Sequence, residues 1–177
     1  MPEKLISLRK IKVEDVYLIV KWFNDPEISK YMDKEKKCTK KEIIEYYIIN
    51  QSEDIELVIV ENATKHPIGY CSIYDISKSN KSAEISFLIG EKSSQGKGYG
   101  KEALKLLLKE AFEKLRLHSL FATATVENIP SIKILEKVGF KRIGIRREYN
   151  RIGKKFLNEV LFDMIIEDYK KVRGKKE

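Results

Sequence analysis

The chain has only two cysteines, Cys38 and Cys71. They are too few for a disulfide framework and lie apart from any cysteine or histidine partner with metal-ligand spacing, so no metal is expected. Histidine is as scarce. His66 stands beside Pro67 in a turn pattern and His118 at a helix–strand junction, and neither belongs to a Ser-His-Asp set. No apolar run approaches the about 20 residues that a membrane span needs. No charged-then-apolar leader precedes Leu5, so the reading is a cytoplasmic protein. Gly-Lys-Ser and Gly-Lys-Thr are both absent, which excludes a P-loop. An aromatic-rich RNA signature is missing as well, and so are internal repeats and a linker.

What remains is a well-mixed globular composition. Over 177 residues, 42% are hydrophobic and 35% charged. That is one domain with a real core, not a disordered chain. The net charge of +8 suits an anionic cofactor, an acidic partner or nucleic acid, although Lys and Glu are interspersed as on a solvated surface. Residues 1–177 read as a single α+β domain ending in a basic tail from about residue 168, frayed over Lys170–Lys176.

In chain order, Leu5–Ile11 alternates as a first strand and Val13–Phe23 carries an apolar helical face, broken at Asn24-Asp25-Pro26. A short helical piece is expected over Glu27–Tyr31. Thr39-Lys40-Lys41-Glu42 is a capping box that opens another helix. Glu56–Glu61, Pro67–Asp75 and Ser82–Gly90 form an antiparallel meander. The order then switches: strand, glycine loop, helix Tyr99–Leu115 and strand Ser119–Val126 make a parallel βαβ unit. Pro130 suits the first turn of a further helix that ends at Gly139. Phe140–Glu148 and Phe156–Ile166 close the chain as a hairpin over Asn150–Gly153.

The chemistry concentrates in Gln95-Gly96-Lys97-Gly98-Tyr99-Gly100. It joins Ala83-Glu84-Ile85-Ser86-Phe87-Leu88-Ile89, which turns continuously apolar as a strand entering a core does, to an amphipathic helix with Ala103, Leu104, Leu107, Leu108 and Ala111 on one face. A helix start carries unpaired N–H groups and partial positive charge, and glycine lets an anion approach them. The stretch reads as a phosphate cradle, against the plainer reading of a flexible turn. Its Gly-x-Gly-x-Gly spacing differs from the dinucleotide fingerprint.

Gln95-x-x-Gly98-x-Gly100 resembles the coenzyme-A signature of the GNAT superfamily of N-acetyltransferases. Trp22-Phe23-Asn24-Asp25-Pro26-Glu27, Ile68-Gly69-Tyr70, Ala83-Glu84-Ile85, Glu127-Asn128-x-x-Ser131 and Leu135-Glu136-Lys137-Val138-Gly139-Phe140 extend the resemblance, in order, to its ribosomal-protein N-terminal (RimJ/RimL-like) branch. The resemblance implies a mixed, mostly antiparallel sheet of about seven strands with about four flanking helices. It implies acetyl-CoA as cosubstrate, held by Phe87, Leu88, Ile89, Gln95, Gly96, Lys97, Gly98, Tyr99, Gly100, Lys101, Asn128, Ser131 and Leu135. Backbone N–H groups around Leu88 and Ile89 would polarise the thioester carbonyl, and Asn128 would hold the pantetheine arm or cap its helix.

Glu84 shares a strand face with Ser86 and Leu88, and there it either faces solvent or lines a cleft. The resemblance implies the cleft, with Glu84 as a base acting through water. Many members of the superfamily carry a tyrosine as thiol proton donor where this chain has Leu135, which can donate nothing. Ser131, one turn earlier, is then the donor candidate, or else a helix-start residue bonding backbone.

The expected reaction is direct acetyl transfer to a primary amine, foremost a protein N-terminal α-amine. Spermidine, an aminoglycoside or an amino sugar is the alternative acceptor, and a non-catalytic basic module binding RNA or a ribosome surface is the alternative from another class. A basic protein repels a polyamine on average, unless a local acidic pocket reverses the field. Nucleic acid is expected only through a ribosomal substrate, and a homodimer is left open.

Overall fold

The computed structural model describes residues 5–32, 37–49 and 53–174. Seven strands form one sheet: β1 (Ile6–Lys10), β2 (Ile55–Glu61), β3 (Pro67–Ser77), β4 (Ser82–Ile89), β5 (Ser119–Thr125), β6 (Lys141–Ile152) and β7 (Lys155–Ile165). Their spatial order is β1-β2-β3-β4-β5-β7-β6, and every pairing is antiparallel except β4 with β5. Among the described residues five α-helices accompany it: α1 (Val16–Asn24), α2 (Lys40–Ile44), α3 (Tyr99–Lys109), α4 (Ile129–Val138) and α5 (Ile166–Gly174). This is the expected mixed α+β architecture with its parallel βαβ unit.

The period of two along the strands divides the side chains between two cores. Cys71 and Ile73 of β3 and Ala83 and Ile85 of β4 join Leu104, Leu107, Ile132 and Leu135 on the α3 and α4 side. Tyr70 faces the other way, into a second cluster with Ile19, Trp22 and Phe23 of α1 and Ile43 of α2. The Thr39 capping box is formed, with Glu42 N donating to Thr39 Oγ1 at 3.2 Å and Thr39 N to Glu42 Oε2 at 2.8 Å. After Ile44 the chain widens into a π-helical turn, Glu45–Ile49, and α3 is extended likewise by Glu110–Lys114.

The parallel pairing of β4 with β5 covers only Ser82↔Ser119 to Glu84↔Phe121. Beyond it β4 stays with β3 as far as Gly69↔Ile89, while β5 follows β7 as far as Thr125↔Glu159. The two strands therefore part, and Glu84 stands at the crotch of the fork.

Three expectations need correction. Glu27–Tyr31 makes turns, with Ser29 N on Asp25 O at 2.9 Å and Met32 N on Ser29 O at 2.9 Å, not a helix. The closing hairpin is longer than expected, since β6 runs through Asn150 to Ile152 and turns at Gly153-Lys154. The basic tail is not frayed over its described part: it is α5, a helix beyond the four expected. Tyr169 stacks on Phe112 with centroids 4.9 Å apart, Arg173 pairs with Glu113 at 2.7 Å, and Asp168 pairs with Lys141 at 2.7 Å. Alternating charge hid an anchoring face in that segment. Its last residues, 175–177, lie outside the described part of the chain, as do residues 33–36 and 50–52 of the stretch between α1 and β2.

Candidate active site

One bank of the fork is the glycine loop. Gly98 is the N-cap of α3 and adopts φ 85°, a left-handed conformation that a side chain disfavours. Gly96 has φ 74°, and a Cβ at either glycine would meet no atom within 4 Å. The loop thus presents bare backbone to open space. The first bond of the helix runs from Glu102 N to Gly98 O at 3.2 Å, so the N–H groups ahead of it have no carbonyl one turn back. Gln95 turns its amide back to donate to Ile89 O at 2.9 Å, which fastens the loop to the end of β4. Lys97 is exposed and Lys101 half-buried beside the same backbone, while the Tyr99 hydroxyl donates to Glu61 at 2.5 Å. An anionic diphosphate fits this arrangement in charge and in space.

The Trp22–Glu27 stretch latches that loop from outside. Trp22 lies so close over Gly90 that a Cβ there would sit 2.2 Å from the indole. The indole N–H donates to Glu91 Oε1 at 2.9 Å, and Lys92 pairs with Asp25 at 3.0 Å and with Glu27 at 2.6 Å. Asn24 brackets the backbone of Cys38, donating to its carbonyl at 2.8 Å and accepting from its N–H at 2.9 Å.

Across the sheet, the Glu84 face is polar. Tyr74 is its cross-strand neighbour, and Ser72 Oγ meets Ser86 Oγ at 2.7 Å. Burial pushes the Glu84 carboxyl above the usual range; the Tyr74 hydroxyl holds it back, Asp75 and Glu159 add to the rise, and Arg146 opposes it. This face opens into a cleft of about 270 Å³ lined by Phe23, Met32, Tyr46, Tyr47, Glu56, Tyr70, Ser72, Tyr74 and Ser86. Glu56 accepts a hydrogen bond from the Tyr70 hydroxyl. Burial, reinforced by Asp54, lifts its pKa from the ordinary 4.5 to about 7, against the pull of that bond.

The α4 side gives a mixed picture. Asn128 caps the helix, its side chain accepting from Ser131 N at 3.4 Å, which is the plainer of its two readings. Ser131 is half-buried in the first turn. Leu135 is only 1% exposed and belongs to the core under the sheet. Ile134 is the residue of α4 that reaches the loop, its Cδ1 lying 3.2 Å from where a Gly100 Cβ would be, with Ile89 and Phe87 behind it at 3.7 Å.

The structure therefore gathers Phe87, Ile89, Gln95 and Gly96 to Lys101 around one backbone cradle, sets Glu84 at the fork and puts Leu135 in the core. His66 and His118 are exposed, away from the cleft. Among the described residues no group of three or more His, Cys, Asp or Glu could hold a metal ion, and no helix is long and apolar enough to cross a membrane. Sequence reasoning missed Glu56, Tyr70, Tyr74 and Glu159. Glu56 stands at the expected start of its strand, but β2 begins at Ile55 and carries Glu56 inside an otherwise apolar run.

Comparison with known proteins identifies the scaffold. Residues 6–141 match the family model described as an acetyltransferase (GNAT) domain. The uncharacterized N-acetyltransferase p20 of Bacillus licheniformis is 28% identical over 171 residues, 93% of this chain and 94% of that protein. The spermidine N(1)-acetyltransferase of Vibrio cholerae is 28% identical over 140 residues, 78% of this chain and 80% of the relative. The crystal structure of spermidine N-acetyltransferase from Vibrio cholerae in complex with CoA and spermine superposes with a TM-score of 0.87, covering 94% of this chain and 99% of that one. At 24% identity that superposition speaks for the fold. By the family match the chain belongs to the GNAT acetyltransferases and is an N-acetyltransferase, an acyltransferase enzyme, and not a non-catalytic module.

Proposed function

We propose that this enzyme moves the acetyl group of acetyl-CoA to a primary aliphatic amine by direct attack within a ternary complex. The observation that carries the proposal is the parting of β4 and β5, with an anion cradle on the loop that follows β4 and a carboxylate-bearing, aromatic cleft on the α1 face of β2, β3 and β4. Acetyl-CoA would lie with its diphosphate on Gly96 to Lys101 and its thioester along β4 near Leu88 and Ile89, supplying the activated acetyl group. Strand separation supports that placement, because it frees backbone groups of β4 from pairing with β5. Glu84 would take the ammonium proton, directly or through water, since a primary amine with pKa ~10.4 is mostly protonated at neutral pH. The amine nitrogen then bonds the carbonyl carbon, the carbon–sulfur bond breaks, and the thiolate leaves as a thiol. Ser131, one turn ahead of Leu135, is the hydroxyl proposed to return that proton.

The cleft supports a small cationic amine as acceptor, because Glu56 in its wall and Glu84 on the same face of the sheet make a local acidic patch in a chain of net charge +8. Its likeness to a spermidine acetyltransferase points the same way. A protein N-terminal α-amine is the second reading, favoured by the Trp22–Glu27 match to the RimJ/RimL-like branch. A thiol-release assay with acetyl-CoA, run against aliphatic polyamines, aminoglycosides, amino sugars and N-terminal peptides, tests both. Turnover led by the aliphatic amines is expected. Peptides leading would establish the second reading, and no transfer to any amine would sink the proposal.

A further inference from the structure

Glu56 takes no part in the proton and acetyl transfers just described, and its surroundings are unusual. Lysine and arginine number 35 in this chain, yet among the described residues none pairs with the Glu56 carboxylate. Its hydrogen-bond partner is the hydroxyl of Tyr70, and four further aromatic rings, Phe23, Tyr46, Tyr47 and Tyr74, line the cleft beside Met32, Ser72 and Ser86. Tyr47 packs edge-on against Tyr70 with centroids 5.5 Å apart, and Phe23 does so at 5.8 Å. A half-buried carboxylate with no cation among the described residues, in a cleft rich in aromatic groups, is chemistry that a ligand ammonium completes through charge and ring faces together.

Sheet register places this group relative to Glu84. Glu56 is opposite Ser72, Ser72 is opposite Ser86, and Glu84 precedes Ser86 by two residues along β4 on the same face. Two strand steps of about 4.8 Å and two residues of about 3.4 Å put the Glu56 and Glu84 Cα atoms roughly 12 Å apart. With parallel side chains and an ammonium hydrogen bond of about 2.8 Å at each end, roughly 6 Å is left between two ligand nitrogens. A four-carbon chain spans that gap.

We propose that Glu56 and the tyrosines around it form a binding site for a second, non-reacting ammonium of the acceptor. The enzyme then selects a linear diamine over a monoamine of equal length. This rests on the cleft being the amine site of the proposed function. The half-buried state of Glu56 supports it, because its displaced pKa shows a carboxylate short of compensating charge.

The test is calorimetric titration of the full chain, saturated with CoA at pH 8, with butane-1,4-diamine and with butan-1-amine. Wild type, Glu56→Gln and Glu56→Asp are compared, each first checked for cooperative unfolding; glutamine keeps an acceptor for Tyr70. Wild type should bind the diamine at least about tenfold tighter, as expected for a charge-assisted contact. In Glu56→Gln that ratio should fall towards one, and in Glu56→Asp the preference should persist and move towards pentane-1,5-diamine. Equal binding of the two amines by wild type, an undiminished ratio in Glu56→Gln, or no amine binding at all would overturn the proposal. Thiol release measured on the same samples separates the two claims. Diamine binding that needs Glu56 without any acetyl transfer would leave the subsite standing and overturn the proposed reaction.

Discussion

The cradle and the cleft are built in opposite ways. The cradle is made of backbone from one continuous stretch, Gln95 to Lys101, with glycine removing side chains. The cleft is lined by residues from α1, Met32, the turn after α2, β2, β3 and β4. A backbone site needs one local conformation and tolerates few residues there. A side-chain site needs several elements held in register, and its chemistry can be retuned one residue at a time. The difference explains why a cofactor signature can be shared across a superfamily whose acceptors differ.

The contrast can be broken hardest at Gly98. Gly98→Glu should weaken acetyl-CoA binding by more than about a hundredfold, because a carboxylate would occupy the space in front of the α3 N–H groups. Gly98→Ala sharpens the reading, since it adds left-handed strain of about 1 kcal/mol without charge and should keep much of the affinity. Calorimetry on folded protein is the check, and unchanged affinity in Gly98→Glu would refute the cradle.

At the crotch of the fork, Glu84→Gln should reduce turnover by roughly 10²-fold, the usual scale for a general base. The sign follows from protonation. The wild-type carboxyl, held above its usual range by burial, serves as a base only once ionised. The deficit should therefore shrink as pH falls through that raised pKa, and shrink again at high pH where the amine deprotonates unaided. A deficit flat across the pH–rate profile would assign Glu84 to positioning.

Ser131→Ala should have a smaller effect, roughly ten- to a hundredfold in turnover, or ~1.4–2.7 kcal/mol of barrier. A thiolate with pKa ~8.5 leaves tolerably without help, so its donor matters less than the base. Cofactor affinity should hardly change if the hydroxyl acts in the transition state. Wild-type turnover in this variant at saturating acetyl-CoA would leave solvent as the proton source.

The smallest effect is on stability and involves Glu56. Its folded pKa, about 7, exceeds the ordinary 4.5, so above pH 4.5 the unfolded chain releases the proton first. Stability is then lost as pH rises from about 4.5 to about 7, by ~1–2 kcal/mol once partial solvent screening is allowed for. Glu56→Gln should flatten that fall, gaining on wild type between pH 5 and pH 8 in denaturant unfolding. Parallel pH slopes in the two proteins would show Glu56 to be better solvated than the cleft implies.

Much of this molecule was legible because its signals are local. Alternation marked β1 and the start of β4, the turn pattern ahead of Pro67 marked β2 and β3, the Thr39 box marked α2, and Gly139 marked the end of α4, where it takes φ 107°. α5 was not legible, since Asp168, Tyr169 and Arg173 are ordinary polar residues until Lys141, Phe112 and Glu113 are set beside them. The Trp22–Glu27 motif was visible as a pattern, but its work, clamping Glu91 and Lys92 behind the cradle, depends on contacts some 65 to 70 residues away in the chain.

By itself the sequence determined the order of elements, the strand–glycine–helix junction that can receive a phosphate, and the polar face of β4 on which Glu84 stands. Each of these follows from residues a few positions apart, whose periodicity and backbone freedom act before any long-range contact forms. The tertiary structure decided where β4 and β5 part, that Leu135 sinks into the core while Ile134 meets the loop, and that Glu56 shares a cleft with Tyr70 and Tyr74. Those facts depend on register and sheet twist, which are set by the packing of all the strands and helices together, and no single segment carries them.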